Sequence, residues 1–324
     1  MRTVKSKIEL WNTKDLPGTV ILALPPNTRS QTVKELRFIS GKPDRVVQDI
    51  YSLNTIAQWQ KTSRVDVEWE IELYTVYLSD LINSSQRGHR LPDSLQQLYT
   101  REERFLEQHD KIRAAAHQIT AGYKSDLDKA KAIFQWQVDN MKQQGRIIGG
   151  PGAMNALIHM DGNCGSFVWL FVSLCRCLNI PARVIMGGLA IEKQAGFHAW
   201  AEVFISSLGW ISIDSSIAQS LKDESDWFVE RGFPGDSEFY FGGICDRNII
   251  FSEGMNINLK NAGLNIPAGL EVVDFLQPGA DIYFGLQGDT RRKKIAGWSG
   301  MFYKGDTQLD EDEIRREMQY SLLK

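Results

Sequence analysis

The stretch GNCGSFVWLFVSLCRCLNIPARVIMGG, residues 162–188, decides how the rest of the chain reads. From Cys164 onward, Phe167, Leu170, Phe171, Leu174 and Leu178 recur at helical spacing and form one apolar stripe. Pro181 stops that helix. Cys164 therefore stands in a first helical turn, where the helix dipole favours a thiolate over a thiol. Gly162 and Gly165 flank it and leave room for a substrate backbone. Backbone N–H groups at such a turn can also face a developing oxyanion.

Three strands are expected downstream, at residues 182–191, 198–205 and 210–214. Ser206-Ser207-Leu208-Gly209 reads as the hairpin turn between the last two. His198 begins one arm and Asp214 ends the other, so a hairpin brings their open ends together. A thiol nucleophile needs a base, and the base needs an orienting group. Cys164, His198 and Asp214 supply these three types in plausible places. Taken singly, each has a plainer reading. A helical cysteine packs as a small hydrophobe, a histidine before a strand is structural, and an aspartate at a strand end caps a turn.

Upstream of the cysteine helix, Ile112, Ala115, Ala116 and Ile119 mark a helix at residues 110–120. Ser125 reads as an N-cap with Asp128 in the capping-box position. The helix it starts carries Leu127, Ala130, Phe134, Val138 and Met141 on one face. The glycine-rich run GRIIGGPG, residues 145–152, is no phosphate loop, because no G-K-[ST] follows it. The first hundred residues read as mostly β. Val65 to Leu73 alternates apolar and acidic residues without a break. Shorter strands are expected at 3–11, 19–24, 31–39, 46–51 and 55–59, separated by turns such as Pro17-Gly18 and Pro25-Pro26-Asn27. Beyond 220, strand-like runs occur at 240–251 and 270–284, and a terminal helix is expected over Leu309 to Leu323.

Composition narrows the function classes. The 324 residues are 43% hydrophobic and 24% charged, a normal globular balance, with net charge -3. That charge makes no case for nucleic-acid binding, and Arg291-Arg292-Lys293-Lys294 reads as a solvated turn. No apolar run is long enough for a membrane span, and MRTVKSKIELWNTKD lacks a signal-peptide core. The four cysteines include no C-x-x-C pair, so neither a disulfide scaffold nor a structural zinc site is expected. A reducing, cytoplasmic compartment is the expectation. No calcium-loop pattern appears, and no metal or cofactor is expected.

The stretch 162–188, with FHAWAEVF at 197–204 and GWISIDSS at 209–216, resembles the transglutaminase-like superfamily of papain-type thiol enzymes. The matching residues are Gly162 and Cys164, Asn179-Ile180-Pro181-Ala182-Arg183, His198-Ala199-Trp200 with Glu202-Val203, and Gly209-Trp210 with Asp214. The likeness covers roughly residues 110 to 220, and weaker traces continue to Gly254. The first hundred residues, with PPNTRSQTVKEL, Asp49 and Asn54, resemble the β-domain preceding this core in some bacterial members. Three departures stand out. Asp214-Ser215-Ser216 replaces a common D-P-T, Asn179 replaces a common Gly, and an aromatic that often follows the helix at 130–141 is missing. His159 and Asn155 lie close enough upstream to serve an oxyanion, although a packing role is expected of both.

The resemblance implies an α+β fold: a papain-like transglutaminase core, its Cys-bearing helix packed on an antiparallel sheet, after an N-terminal β-sandwich-like domain. The expected domains are 1–100, 101–265 for the catalytic core, and 266–324 as a C-terminal extension packing on the core. Cys164, His198 and Asp214 are the implied catalytic residues. The implied reaction is acyl transfer through a Cys164 thioester on a peptide, protein or small amide or thioester substrate. Peptidase or amidase-type hydrolysis is the first expectation. Amide formation, by protein crosslinking or onto a biosynthetic amine, is the alternative. A non-catalytic binding module is the reading of a different class, against which the intact Cys164, His198 and Asp214 argue.

Overall fold

A computed structural model describes residues 1–11, 18–49, 51, 53–84, 88–191, 194–259, 263–264, 272–273, 280–283 and 301–303. Six strands open the chain: β1 (Arg2–Trp11), β2 (Gly18–Leu24), β3 (Gln31–Phe38), β4 (Arg45–Gln48), β5 (Thr55–Thr62) and β6 (Arg64–Leu73). Helices follow: α1 (Leu78–Ser84), α2 (Asp93–Thr100), α3 (Asp110–Ile119), α4 (Asp126–Asn140), α5 (Ala153–His159) and α6 (Cys164–Cys177). Then come β7 (Ala182–Ile191), β8 (Gln194–Ile205), β9 (Gly209–Ile213), α7 (Ser215–Lys222), β10 (Asn248–Glu253), β11 (Ala280–Tyr283) and β12 (Met301–Tyr303). The chain forms two compact units, one of Met1–Tyr74, Met186–Phe197 and Asp246–Lys324, the other of Thr75–Ile185 and His198–Cys245. We keep the division 1–100, 101–265 and 266–324 as a proposal about domains; the compact units follow proximity in space.

Among the described residues, the first unit holds two four-stranded antiparallel sheets, ordered β12-β1-β6-β3 and β11-β2-β5-β4, and a short antiparallel pairing of Ile257–Asn258 with Val272–Val273. β6 pairs with β1 over ten residue pairs, from Arg2 opposite Leu73 to Trp11 opposite Arg64. Its period-two sequence explains the burial: Val65, Val67, Trp69, Ile71 and Leu73 point inward. The intervening acids meet bases on neighbouring strands, Lys5 with Glu70, Lys34 with Glu72 and Arg37 with Glu68, each at 3.2 Å. The inward residues join Val20, Leu22, Ala57 and Trp59 of the other sheet in one core. Phe251 of β10 closes it edge-on against Trp69, at 5.5 Å between ring centres. From the stretch 266–324, expected to pack on the catalytic core, β11 and β12 pair with β2 and β1. The expected helix at 309–323 and the basic run at 291–294 lie outside the described residues.

The second unit is built around α6, which is buried on every side from Ser166 to Cys177. Its sequence shows why: beyond the predicted stripe, Val168, Trp169, Val172 and Cys175 are apolar too, the pattern of a central rather than a surface helix. The helix ends in a Schellman arrangement. Ile180 N–H donates to Cys175 O at 3.0 Å and Asn179 N–H to Arg176 O at 2.9 Å. Asn179 takes φ +60°, which asparagine tolerates better than other side chains, so it serves where a glycine is common. Arg176 is buried inside this apolar helix. It pairs with Glu103 at 2.9 Å and donates to the carbonyls of Arg101 and Ala182. Within this unit β8 pairs with β9 antiparallel, from Ala201 opposite Ile213 to Ile205 opposite Gly209.

Three expectations change. The β character ends at Leu73, and α1 and α2 occupy residues read as β or linker; α2 buries Leu98 and Tyr99 on one side. The run at 240–251 is a 3-10 turn at Ser237–Tyr240 followed by β10 from Asn248 only. Asp214 does not end β9 but caps α7, a helix the polar Ser215-Ser216 hid. Among the described residues, no helix is long and apolar enough to cross a membrane.

Removing one partner of a buried ion pair leaves the other charge uncompensated. Arg176→Ala is therefore expected to lower stability by about 3–5 kcal/mol. Urea unfolding measures it; a loss below about 1 kcal/mol, the level of an exposed pair, would contradict the role given to Arg176.

Candidate active site

Cys164 is the first residue of α6 and is half-buried. Asn163 caps the helix, its Oδ1 accepting from Ser166 N–H at 3.3 Å. The first-turn N–H groups of Cys164 and Gly165 come before the helix's own bonds begin. Gly162 has φ +149°, and a Cβ there would collide with the Ser166 hydroxyl, so glycine is required for this approach.

His198 and Asp214 reach the thiol from the hairpin side. Both are buried, and His198 Nε2 donates to Asp214 Oδ2 at 2.6 Å. That bond leaves Nδ1 of His198 for the Cys164 thiol, with which the imidazole is hydrogen-bonded. The other carboxylate oxygen of Asp214 accepts from Ser216 Oγ at 2.9 Å and Ile217 N–H at 3.1 Å. Asp214 is thus a helix cap and a histidine partner at once. Trp200 stacks on the His198 ring at 5.9 Å and holds its plane.

These contacts set the charges. Burial by itself pushes the Cys164 thiol up, but the hydrogen bond and charge of His198, helped by the Ala199 backbone, pull it below its ordinary value; Asp214 opposes them. Burial also disfavours charged His198, yet Asp214, with the thiolate, raises it to about 10. The other helical thiols differ: burial pushes both Cys175 and Cys177 upward.

The structure therefore brings together all three residues singled out from the sequence. It gives His159 and Asn155 to the 145–152 loop, where His159 lies against Gly149 and Asn155 Nδ2 donates to Pro151 O at 3.3 Å. Arg183, Glu202 and Trp210 of the motif strands form scaffold. Arg183 bonds Glu202 through Nε at 2.8 Å and lies over the Trp210 ring at 4.2 Å. Two neighbours carried no sequence signal. Ser216 was read only as a departure, and Gln143 sits opposite Gly162 in a short parallel pairing, its Oε1 buried with no partner in the described residues. Among the described residues, no group of three or more His, Cys, Asp or Glu side chains is placed to hold a metal.

Residues 113–215 match the family described as the transglutaminase-like superfamily. An uncharacterized protein of Haemophilus influenzae is 24% identical over 255 residues, spanning 68% of this chain and 69% of its own. A crystal structure described as a candidate cysteine protease from Cytophaga hutchinsonii shares the fold, with TM-score 0.55 and 17% identity over 87% of this chain and 85% of that one. The periplasmic domain of TgpA from Pseudomonas aeruginosa aligns at TM-score 0.41 and 11% identity, over 72% of this chain and 93% of that one. With the Cys-bearing helix, the motif strands and the matched residues in agreement, the chain carries at residues 113–215 a domain of the transglutaminase-like superfamily.

Proposed function

We propose that this chain is a thiol enzyme that transfers an acyl group from a peptide or related amide through a covalent Cys164 intermediate, with water as the usual acceptor. The observation that carries this reading is His198, buried, bonded to Asp214 on one side and acting on the half-buried Cys164 thiol on the other. Buried charge is costly without a partner, so this arrangement is unusual outside a site that uses it.

The steps follow from the geometry. His198 Nδ1 takes the Cys164 proton, giving a thiolate and an imidazolium held by Asp214. The thiolate attacks the substrate carbonyl, and the C=O electron pair moves onto oxygen. Backbone N–H groups of the first turn of α6 stabilise that oxyanion. Collapse reforms the carbonyl, breaks the C–N bond and passes the His198 proton to the leaving amine. Water, deprotonated by His198, then attacks the thioester; the acid leaves and the Cys164 thiol is restored. An amine in place of water gives amide formation by the same steps. The peptide-type substrate is supported by the family and by the fold shared with a candidate cysteine protease. A cytoplasmic setting is proposed only from the sparse, unpaired use of cysteine seen in the sequence.

The thiolate exists above the Cys164 titration, which His198 draws below the thiol's ordinary value. The imidazolium exists below the His198 titration, near 10. The ion pair thus persists between these limits and is lost at both edges. Iodoacetamide is expected to alkylate Cys164 selectively at pH 7. In His198→Ala only burial remains to act strongly, so the thiol rises and the rate falls by at least about tenfold, one pKa unit. Equal labelling of all four cysteines would sink the idea.

With an ester or amide substrate, Cys164→Ala is expected to be inactive yet folded by circular dichroism. Asp214→Asn keeps the cap but weakens the hold on the imidazolium, and is expected to cost roughly 10²–10⁴-fold, less than Cys164→Ala. Equal losses would mean that Asp214 does more than orient His198. Product masses from a panel of amines in water name the acceptor: free acid supports hydrolysis, whereas amide as the main product makes this an amide-forming enzyme.

A further inference from the structure

Helix α4 enters the core with Ala130, Ile133, Phe134 and Val138, and among these apolar residues it buries one amide, Gln137, with no exposed surface. Both ends of that amide are bonded. Nε2 donates to Phe167 O at 2.9 Å and approaches Met141 Sδ at 3.5 Å. Oε1 accepts from Ser215 Oγ at 2.7 Å. Phe167 lies three residues past Cys164 in the first turn of α6, and Ser215 directly follows Asp214 at the start of α7. A single side chain therefore spans the turn that carries the thiol and the turn that carries the carboxylate.

The rest of the site leaves this span to be set. His198 is placed on Asp214 by the β8–β9 register and by their 2.6 Å bond, both of which belong to the hairpin and α7. Cys164 rides on α6. An apolar residue of similar size would bury α4 at least as readily, since a buried amide is unfavourable unless its bonds are made. What the amide adds is direction: a donor toward α6 and an acceptor toward α7, a combination that a glutamate's ionised carboxylate lacks. Ser215 completes it with a hydroxyl that donates to the amide oxygen.

We propose that Gln137 is a positioning residue that, through Phe167 O and Ser215 Oγ, sets the separation between Cys164 and the His198–Asp214 pair. This rests on the reading of those three residues as the working site.

The test is the pH dependence of Cys164 alkylation by iodoacetamide, followed by peptide mass mapping, with circular dichroism and urea midpoints for each variant. Gln137→Met keeps volume and removes both bonds. Ser215→Ala removes one bond, and Ser215→Thr keeps the hydroxyl. Gln137→Met and Ser215→Ala, folded, are expected to move the alkylation midpoint upward and slow the reaction at pH 7 about tenfold, one pKa unit. Ser215→Thr is expected to stay within about twofold of the parent. The double variant Gln137→Met/Ser215→Ala is expected to be no worse than Gln137→Met, because both act on one span. Should Gln137→Met fail to fold, Ser215→Ala against Ser215→Thr makes the same comparison. A low midpoint in the parent that both variants retain overturns the bridge and leaves the site's reading intact. A parent midpoint at the ordinary thiol range leaves no pair to position, and the proposal falls with that reading.

Discussion

A buried imidazole stays charged only if a negative group stands against it. The 2.6 Å contact between His198 and Asp214 is that condition here, and most of the second unit can be understood as keeping it. Burial works against the imidazolium, and Asp214 more than offsets it. The carboxylate is itself held from behind by Ser216 and by the first turn of α7, so its charge meets three donors in fixed directions. Trp200 lies nearly parallel to the ring, at 5.9 Å between ring centres.

Cys164 sits in a different kind of environment. It belongs to a helix apolar on every face, anchored at its far end by the Schellman turn at Asn179 and by the Arg176–Glu103 pair. Its first turn carries the thiol that faces His198. The helix supplies a rigid mount, and the hairpin supplies the base. Arg183, Glu202 and Trp210, the most recognisable letters of the motif after the three site residues, bind one another across strands β7, β8 and β9. A motif can therefore mark scaffold as strongly as chemistry.

Much of this was legible in the sequence where period and punctuation speak. The unbroken alternation of Val65 to Leu73 forms β6 with its apolar side chains inward, Ser125 caps α4 as its pattern with Asp128 suggests, and Cys164 opens α6. What escaped depended on contacts between distant residues. Nothing in Ser215-Ser216 announces a helix, so the sequence puts Asp214 at a strand end, yet α7 begins there. α2 falls where the sequence reads as β or linker, because its buried side is short, Leu98 and Tyr99. Gln137 carries no signal in the sequence, because its partners Phe167 and Ser215 lie 30 and 78 residues away. Periodicity reports which face is buried, and it is silent on what a buried polar group finds there.

The account turns on the charge of one ring. Long-range proton–nitrogen NMR of His198 reports the protonation of Nδ1 and Nε2 directly. The account predicts that both nitrogens carry protons at pH 7 and that the ring loses its charge only near pH 10. A ring that is neutral at pH 7, with one bare nitrogen and a titration near the ordinary histidine value, would contradict it.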